Sequence, residues 1–210
     1  MALEDELVNR VTWKIPNALA LVGSAANGER NGMTTSWITQ LSMEPVLIGV
    51  GIDNSAVTHR LIREGGSFTV NLWDSEETRP FVKFSKPAVF EDGALNGRAV
   101  HDGVTGAPIF DEAIAWMECE VRQAHDLGTH TLFVGELVDA AILDDEKRPA
   151  AMTDTRMKYG GVRRGGHLED VRRQLLVARV EVLADVLLAI DWVVRVRVQR
   201  DQHRAGRRVE

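Results

Sequence analysis

Residues 116–138 constrain the fold more than any other stretch of the chain. Across 116–124 apolar and polar side chains alternate, with Met117, Cys119 and Val121 on one face and Glu118, Glu120 and Arg122 on the other. A two-residue period belongs to a strand that buries one face and wets the other. Residues 125–129 read as a turn and 131–138 as the returning strand, so the pair forms a hairpin. A hairpin alone is marginal in water, and it has to join further strands around a core.

Short apolar runs at 18–24, 37–42, 46–52 and 68–72 supply those strands. Turn signals punctuate them: Ala25-Ala26-Asn27-Gly28 after the first run, and Glu44-Pro45 between the second and third. Residues 54–64 are instead helical, with Val57, Leu61 and Ile62 three to four apart, Asn54 or Ser55 as the cap, and Gly65-Gly66 as the stop. A second short helix is expected over 76–84. Residues 86–106, rich in Gly, Pro, Asn and Asp, read as an excursion across the surface. The expected fold is mainly β with short helices, a β-barrel or half-open barrel.

The character changes after Gly165-Gly166. Residues 1–165 read as one domain and 166–210 as a C-terminal helical extension. In that extension Leu176, Val180, Leu183, Leu187, Ile190 and Val194 alternate steps of four and three, the heptad seam of an association helix. Residues 194–198 also alternate like a strand, and 199–210 read as disordered.

The chain has 210 residues, enough for one domain with a full core plus an appendage. Its formal net charge of −6 argues against nucleic acid or an anionic membrane surface as partner, since either favours a basic face. The single cysteine, Cys119, excludes an internal disulfide and thiolate metal clusters, and points to a reducing, cytoplasmic setting. Residues 1–10 are acidic and polar, without the apolar core of a signal peptide. The most apolar stretch, 175–194, is broken by Arg179, Glu181, Asp185 and Asp191, so no membrane span is expected.

Several nucleotide and nucleophile motifs are missing. Gly49-Val50-Gly51 does not complete a dinucleotide fingerprint, and neither a P-loop lysine motif nor a nucleophile elbow is present. His125 and His130 have no third partner at metal-ligand spacing. Cys119, on the apolar face of its strand, reads as an inert buried thiol. Two segments do suit an anion. In Asn31-Gly32-Met33-Thr34-Thr35-Ser36-Trp37 a glycine stands before three consecutive hydroxyls, which fits a phosphate or a ribityl chain; the same residues also read as a Thr-rich strand facing water. Residues 54–59, Asn54-Ser55-Ala56-Val57-Thr58-His59, open a helix whose dipole attracts anions, or form an ordinary N-cap.

Taken together, these segments resemble the flavin reductase family. The run "NGMTTSWITQLSMEPVL" from Asn31 is similar to that family's N-G-M-T-x-S segment with its downstream Ser and Pro. Asn54-Ser55 with Thr58-His59, Phe68-Thr69-Val70-Asn71-Leu72, Gly106-Ala107-Pro108, Trp116-x-Glu118-Cys119, His130-Thr131-x-Phe133-Val134-Gly135-Glu136 and Met157-Lys158-Tyr159-Gly160-Gly161 follow in the family's order. The resemblance covers roughly the first 165 residues. It implies an FMN-binding split barrel, usually a homodimer, that takes a hydride from NAD(P)H onto FMN and passes reduced flavin to a partner such as a monooxygenase.

The resemblance also implies a set of site residues. Thr34, Thr35, Ser36, Asn54 and Ser55 would hold the phosphate and ribityl chain, Asn31 and Met33 would belong to the same cofactor-binding set, and Trp37 would lie beside the flavin. Phe84, Ser85 and Lys86 would line the isoalloxazine edge, and His130 and Tyr159 the nicotinamide approach, as catalytic residues. The chain departs from the family at Leu127-Gly128-Thr129, where Gly-Asp is usual, and in 167–210, which has no counterpart. Two alternatives stay open: an FMN-carrying protein without NAD(P)H activity, and a non-catalytic module that works through the heptad helix.

Overall fold

The computed structural model describes residues 3–162, so the expected helical extension and its heptad seam lie outside the described residues. In chain order the elements are α1 (Asp5–Thr12), β1 (Ala20–Ala26), β2 (Glu29–Thr35), β3 (Ile38–Met43) and β4 (Val46–Asp53). Next come α2 (Val57–Gly65), β5 (Ser67–Leu72), α3 (Arg79–Lys83), β6 (Phe90–Glu91), β7 (Ala94–Leu95) and β8 (Arg98–Asp102). β9 (Pro108–Phe110), β10 (Ala115–Asp126) and β11 (His130–Ile142) complete the set, followed by a 3-10 turn at Met152–Asp154.

Seven strands form one antiparallel sheet in the order β2-β1-β5-β10-β11-β4-β3. Its two edges, β2 and β3, are neighbours in sequence, joined only by Ser36 and Trp37. Three Cα steps span at most about 11 Å. The sheet therefore curls until its edges face each other, yet no ladder pairs β2 with β3 among the described residues. This is a barrel split along one seam, and Ser36-Trp37 crosses the seam.

The β1–β2 hairpin turns on Asn27 and Gly28, both at positive φ (52° and 80°), the two-residue geometry that Asn-Gly favours. β1 is buried on both faces. Ala20 and Val22 join the barrel core with Val50, Ile52, Phe68, Val70 and Phe133, whereas Leu19 and Leu21 pack with Trp73, Phe81, Phe84 and Phe110 outside it. That double burial explains why its sequence is an apolar run rather than an alternation.

Several sequence expectations are corrected. Asn31–Thr35 belongs to strand β2, as the Thr-rich strand reading has it, but Asn31 and Thr35 are buried rather than facing water. The first long helix begins at Val57 with Ala56 as its N-cap, so neither Asn54 nor Ser55 caps it. The second helix spans only Arg79–Lys83, with Pro80 in its first turn. Residues 86–106 are more than an excursion: they contribute β6, β7 and β8 of a second, four-stranded sheet that buries Leu95. Helix α1 falls on residues for which no element is expected from the sequence.

Glu118 is the clearest reversal. Alternation places it on the solvent face, but it is fully buried. The N–H groups of Val104 and Thr105 donate to its carboxylate at 2.9 and 2.7 Å, and the Thr105 hydroxyl donates at 2.5 Å. A ladder irregularity between Glu118 and Cys119 breaks the simple in–out rule there. Cys119 itself is buried, and burial pushes its thiol up to about 12, so it stays protonated at neutral pH.

Candidate functional site

A cleft of about 310 Å³ opens at the barrel seam, within the size range of small-molecule sites. β2 supplies Asn31, Met33, Thr34 and Thr35 to its wall, and the crossing residue Ser36 its floor. Ser55 and the first turn of α2 form one side. Phe84, Ser85 and Lys86, just after α3, form the other, and Tyr159 lies across the mouth. Of the residues implied by the resemblance, Trp37, Asn54 and His130 are not on the cleft wall.

The polar groups here divide into those already engaged and those free to take a ligand. The Asn31 amide donates to Thr58 Oγ1 at 2.7 Å and accepts from the Ala88 N–H at 2.7 Å, stapling α2 to the 84–88 segment. The Thr34 hydroxyl donates to the Phe81 carbonyl at 2.7 Å, and its N–H donates to the Phe84 carbonyl. Thr34 therefore seats α3 against β2 and has no proton left for an anion. Ser55 donates its hydroxyl and its N–H to the Asp53 carboxylate at 2.7 and 2.9 Å.

Ser36 is different. Its Oγ is buried and, among the described residues, is the one buried side-chain polar atom without a hydrogen-bond partner. An orphaned buried hydroxyl costs on the order of 1–3 kcal/mol. Beside it, no side chain caps α2, and Ala56, Val57 and Thr58 line the cleft. The first turn of a nine-residue helix thus borders the cavity with no side chain capping it, a place suited to phosphate. Lys86 stands exposed at the rim, with no ion pair among the described residues. This donor set fits the phosphate and ribityl hydroxyls of FMN.

Asn54 points away from the cleft. Its amide donates to the Gly128 carbonyl at 2.9 Å and its Oδ1 lies 3.0 Å from the Thr131 Oγ1, tying the β4–α2 turn to the β10–β11 turn. Trp37 sits behind the mouth, with its ring 4.5 Å from His130 and 5.2 Å from Tyr159. It also packs against Gly51, where a Cβ would lie 3.1 Å from the indole. His130 is off the cleft wall and contacts the lining residue Tyr159, whose hydroxyl is 2.7 Å from Nε2. Sequence reasoning missed Asp53, Met152 and Met157, which also line the cleft. Asp53 was legible as the first residue of an Asp-x-Ser turn and Met157 as the start of the Met157–Gly161 motif; Met152 carries no local signal.

A charged network braces the back of α2. Burial, together with the neighbouring Arg63, holds the His59 imidazole below its ordinary value of 6.5. The Thr131 hydroxyl lies 2.7 Å from Asp126 and 2.8 Å from His59 Nε2, so it donates to the carboxylate and accepts from the neutral ring. That hydrogen bond, with Arg63, holds Asp126 below the usual carboxylate range. The sign for His59 follows directly. As pH falls through 6.5 the unfolded chain takes up a proton that the folded chain refuses, so stability is full above 6.5 and declines below it. Asp126 adds a contribution present above its unfolded value and lost only at lower pH. The melting temperature is expected to be flat from pH 8 to 7 and to fall between 6.5 and 5.5. His59→Gln should flatten that fall, and an unchanged profile in the variant would exclude His59 as its source.

The family model described as a flavin reductase like domain matches residues 12–163. The chain belongs to the flavin reductase family. Among relatives of this family, a ferric-chelate reductase (NAD(P)H) of Archaeoglobus fulgidus is 36% identical over 137 residues, covering 63% of this chain and 80% of that one. An NADH-dependent flavin reductase of Pseudomonas fluorescens is 28% identical and covers 67% and 79%. Among solved structures, an FMN-binding protein from Thermus thermophilus is 28% identical with a TM-score of 0.57, covering 65% of this chain and 78% of that one. The flavin reductase HpaC, complexed with NADP+, superposes at TM-score 0.62 with 24% identity, covering 76% and 98%, and shows the shared fold. The split barrel is thus the family architecture, and the seam cleft is the feature of this member that most needs a function.

Proposed function

We propose that this flavin reductase family member is an oxidoreductase that binds FMN in the seam cleft and uses NAD(P)H to reduce it. The observation that carries the reading is the unpaired, buried Ser36 hydroxyl beside the uncapped start of α2. Ser36 and the α2 N–H groups would hold the phosphate, and Lys86 would neutralise it at the rim. Met33, Phe84 and Met157 give the cleft an apolar wall against which a planar ring system can lie. When bound, FMN supplies the two-electron acceptor for a hydride from NAD(P)H. The protein's part is to orient the ring, keep water from one face and hold the second nucleotide at the mouth. A reaction of this kind needs no protein acid or base at the transferring atom, which accounts for a cleft without a catalytic dyad.

The same proposal includes a homodimer in the cytoplasm that delivers reduced flavin to a partner monooxygenase. The NADH-dependent flavin reductase relative supports a nicotinamide nucleotide as the hydride donor. The ferric-chelate reductase relative supports a second electron acceptor, a chelated ferric ion, reduced at the same cleft.

An absorption spectrum of the purified protein with added FMN, followed by anaerobic NADH and then NADPH, tests the reading. Bound flavin bands that bleach promptly with either nucleotide are the expected result, and ferric chelate should then be reduced on addition. Bands that persist would leave an FMN carrier without NAD(P)H activity. Failure to bind FMN at all would remove the reading.

A further inference from the structure

Residues 155–161 cross the mouth of the cleft without regular secondary structure, between two anchors. At one end Asp154 pairs with Arg148 at 2.9 Å and accepts from the Ala151 N–H. At the other, the Val162 N–H donates to Asn9 Oδ1 of α1 at 2.8 Å, and the Trp13 indole N–H donates to the Gly160 carbonyl at 3.2 Å. Between them Met157 and Tyr159 turn into the cleft. Tyr159 is still 45% exposed, so little apolar burial holds it there. Its hydroxyl lies 2.7 Å from His130 Nε2, and the Trp37 ring packs tilted against His130 and edge-on against Tyr159. His130 is oriented for this contact on its far side, where Nδ1 lies 2.9 Å from the Thr129 hydroxyl.

We propose that residues 155–161 are a strap over the bound flavin, that the Tyr159–His130 contact is its clasp, and that His130 is a positioning residue acting through Tyr159. The inference rests on the flavin reading of the cleft. Its consequence is kinetic. A ligand lodged beneath Met157 and Tyr159 leaves only when the strap lifts, so the clasp sets how fast flavin is released. Fast release is what a protein handing reduced flavin to a partner has to control. Gly160 and Gly161, at φ of 100° and 86°, are the points at which the strap bends back to α1. A Cβ on Gly161 would collide with the Asn9 side chain at 1.9 Å, so this anchor can be loosened without touching the cleft.

The test is stopped-flow measurement of FMN association and dissociation in the full-length protein and in Tyr159→Phe, His130→Ala, their double variant and Gly161→Ala. Cutting one such hydrogen bond should raise the dissociation rate roughly three- to tenfold, with the association rate changed less. The double variant should release FMN no faster than the faster single variant, because both cut the same contact. Gly161→Ala should also speed release while leaving every group in the cleft in place. Unchanged dissociation in the single variants, or fully additive effects in the double variant, would overturn the clasp. A wild-type protein that binds no FMN would instead overturn the flavin reading beneath it. Thermal melts of each variant distinguish loss of the clasp from loss of the fold.

Discussion

Replacing Gly23 with alanine is expected to destabilise the protein by about 3 kcal/mol, in the upper range of overpacking substitutions. Gly23 lies in the middle of β1, paired with Gly32 on one side and Thr69 on the other. A Cβ at this position would stand 2.3 Å from the Pro108 carbonyl oxygen and 2.6 Å from Thr69 Oγ1. Neither neighbour can yield cheaply. Pro108 belongs to β9 by its backbone, and the Thr69 hydroxyl already donates to that same carbonyl at 2.6 Å. The second sheet would have to lift off the barrel, taking Phe110 out of contact with Phe84 and Trp73. Urea denaturation of wild type and variant reads the effect. A loss below about 0.5 kcal/mol, the size of an ordinary surface change, would show that β9 does not press on β1 as described.

The second large effect has opposite signs on stability and on binding. Ser36→Ala removes the buried hydroxyl that has no partner in the protein. The ligand-free form should gain about 1 kcal/mol, because the desolvation cost of that group disappears. Affinity for FMN should fall tenfold or more, since hydrogen bonds to a charged phosphate are worth about 1.5–3 kcal/mol. Isothermal titration with FMN, paired with melts in its absence, separates the two. Loss of affinity together with loss of stability would mean that Ser36 is structural. Unchanged affinity would move the phosphate away from the seam. Thr34→Val makes a useful contrast. The Thr34 hydroxyl holds Phe81 of α3, so its removal should lower stability first and binding only through displacement of the 84–86 wall.

Much of this architecture was legible along the chain, and the reason is physical. The β10–β11 hairpin, the strands at β1, β3, β4 and β5, and the helix at α2 are written in periods of two and 3.6 and in local punctuation. Asn27-Gly28 adopts the left-handed pair that its own covalent structure favours. The resemblance to the flavin reductase family rested on ordered short motifs, and these name residues without placing them. Of the residues it implied, ten line one cleft, brought there by the fold: Asn31, Met33, Thr34, Thr35, Ser36, Ser55, Phe84, Ser85, Lys86 and Tyr159.

What only the tertiary structure decided is which polar groups are spent and which are free. Glu118 sits at an outward position by period, and it is buried because three donors from residues 104 and 105 meet its carboxylate. Asn54 has the composition of a phosphate ligand, yet Gly128 and Thr131 on the opposite hairpin claim its amide. Ser36 and Thr34 are near-identical in a linear reading. Thr34 meets a carbonyl from α3 and Ser36 meets none, because only Ser36 lies where the sheet edges face each other without pairing. Period and propensity are properties of neighbours in sequence. The satisfaction of a buried donor depends on partners tens of residues away, and closing the barrel is what brings them together or leaves them apart.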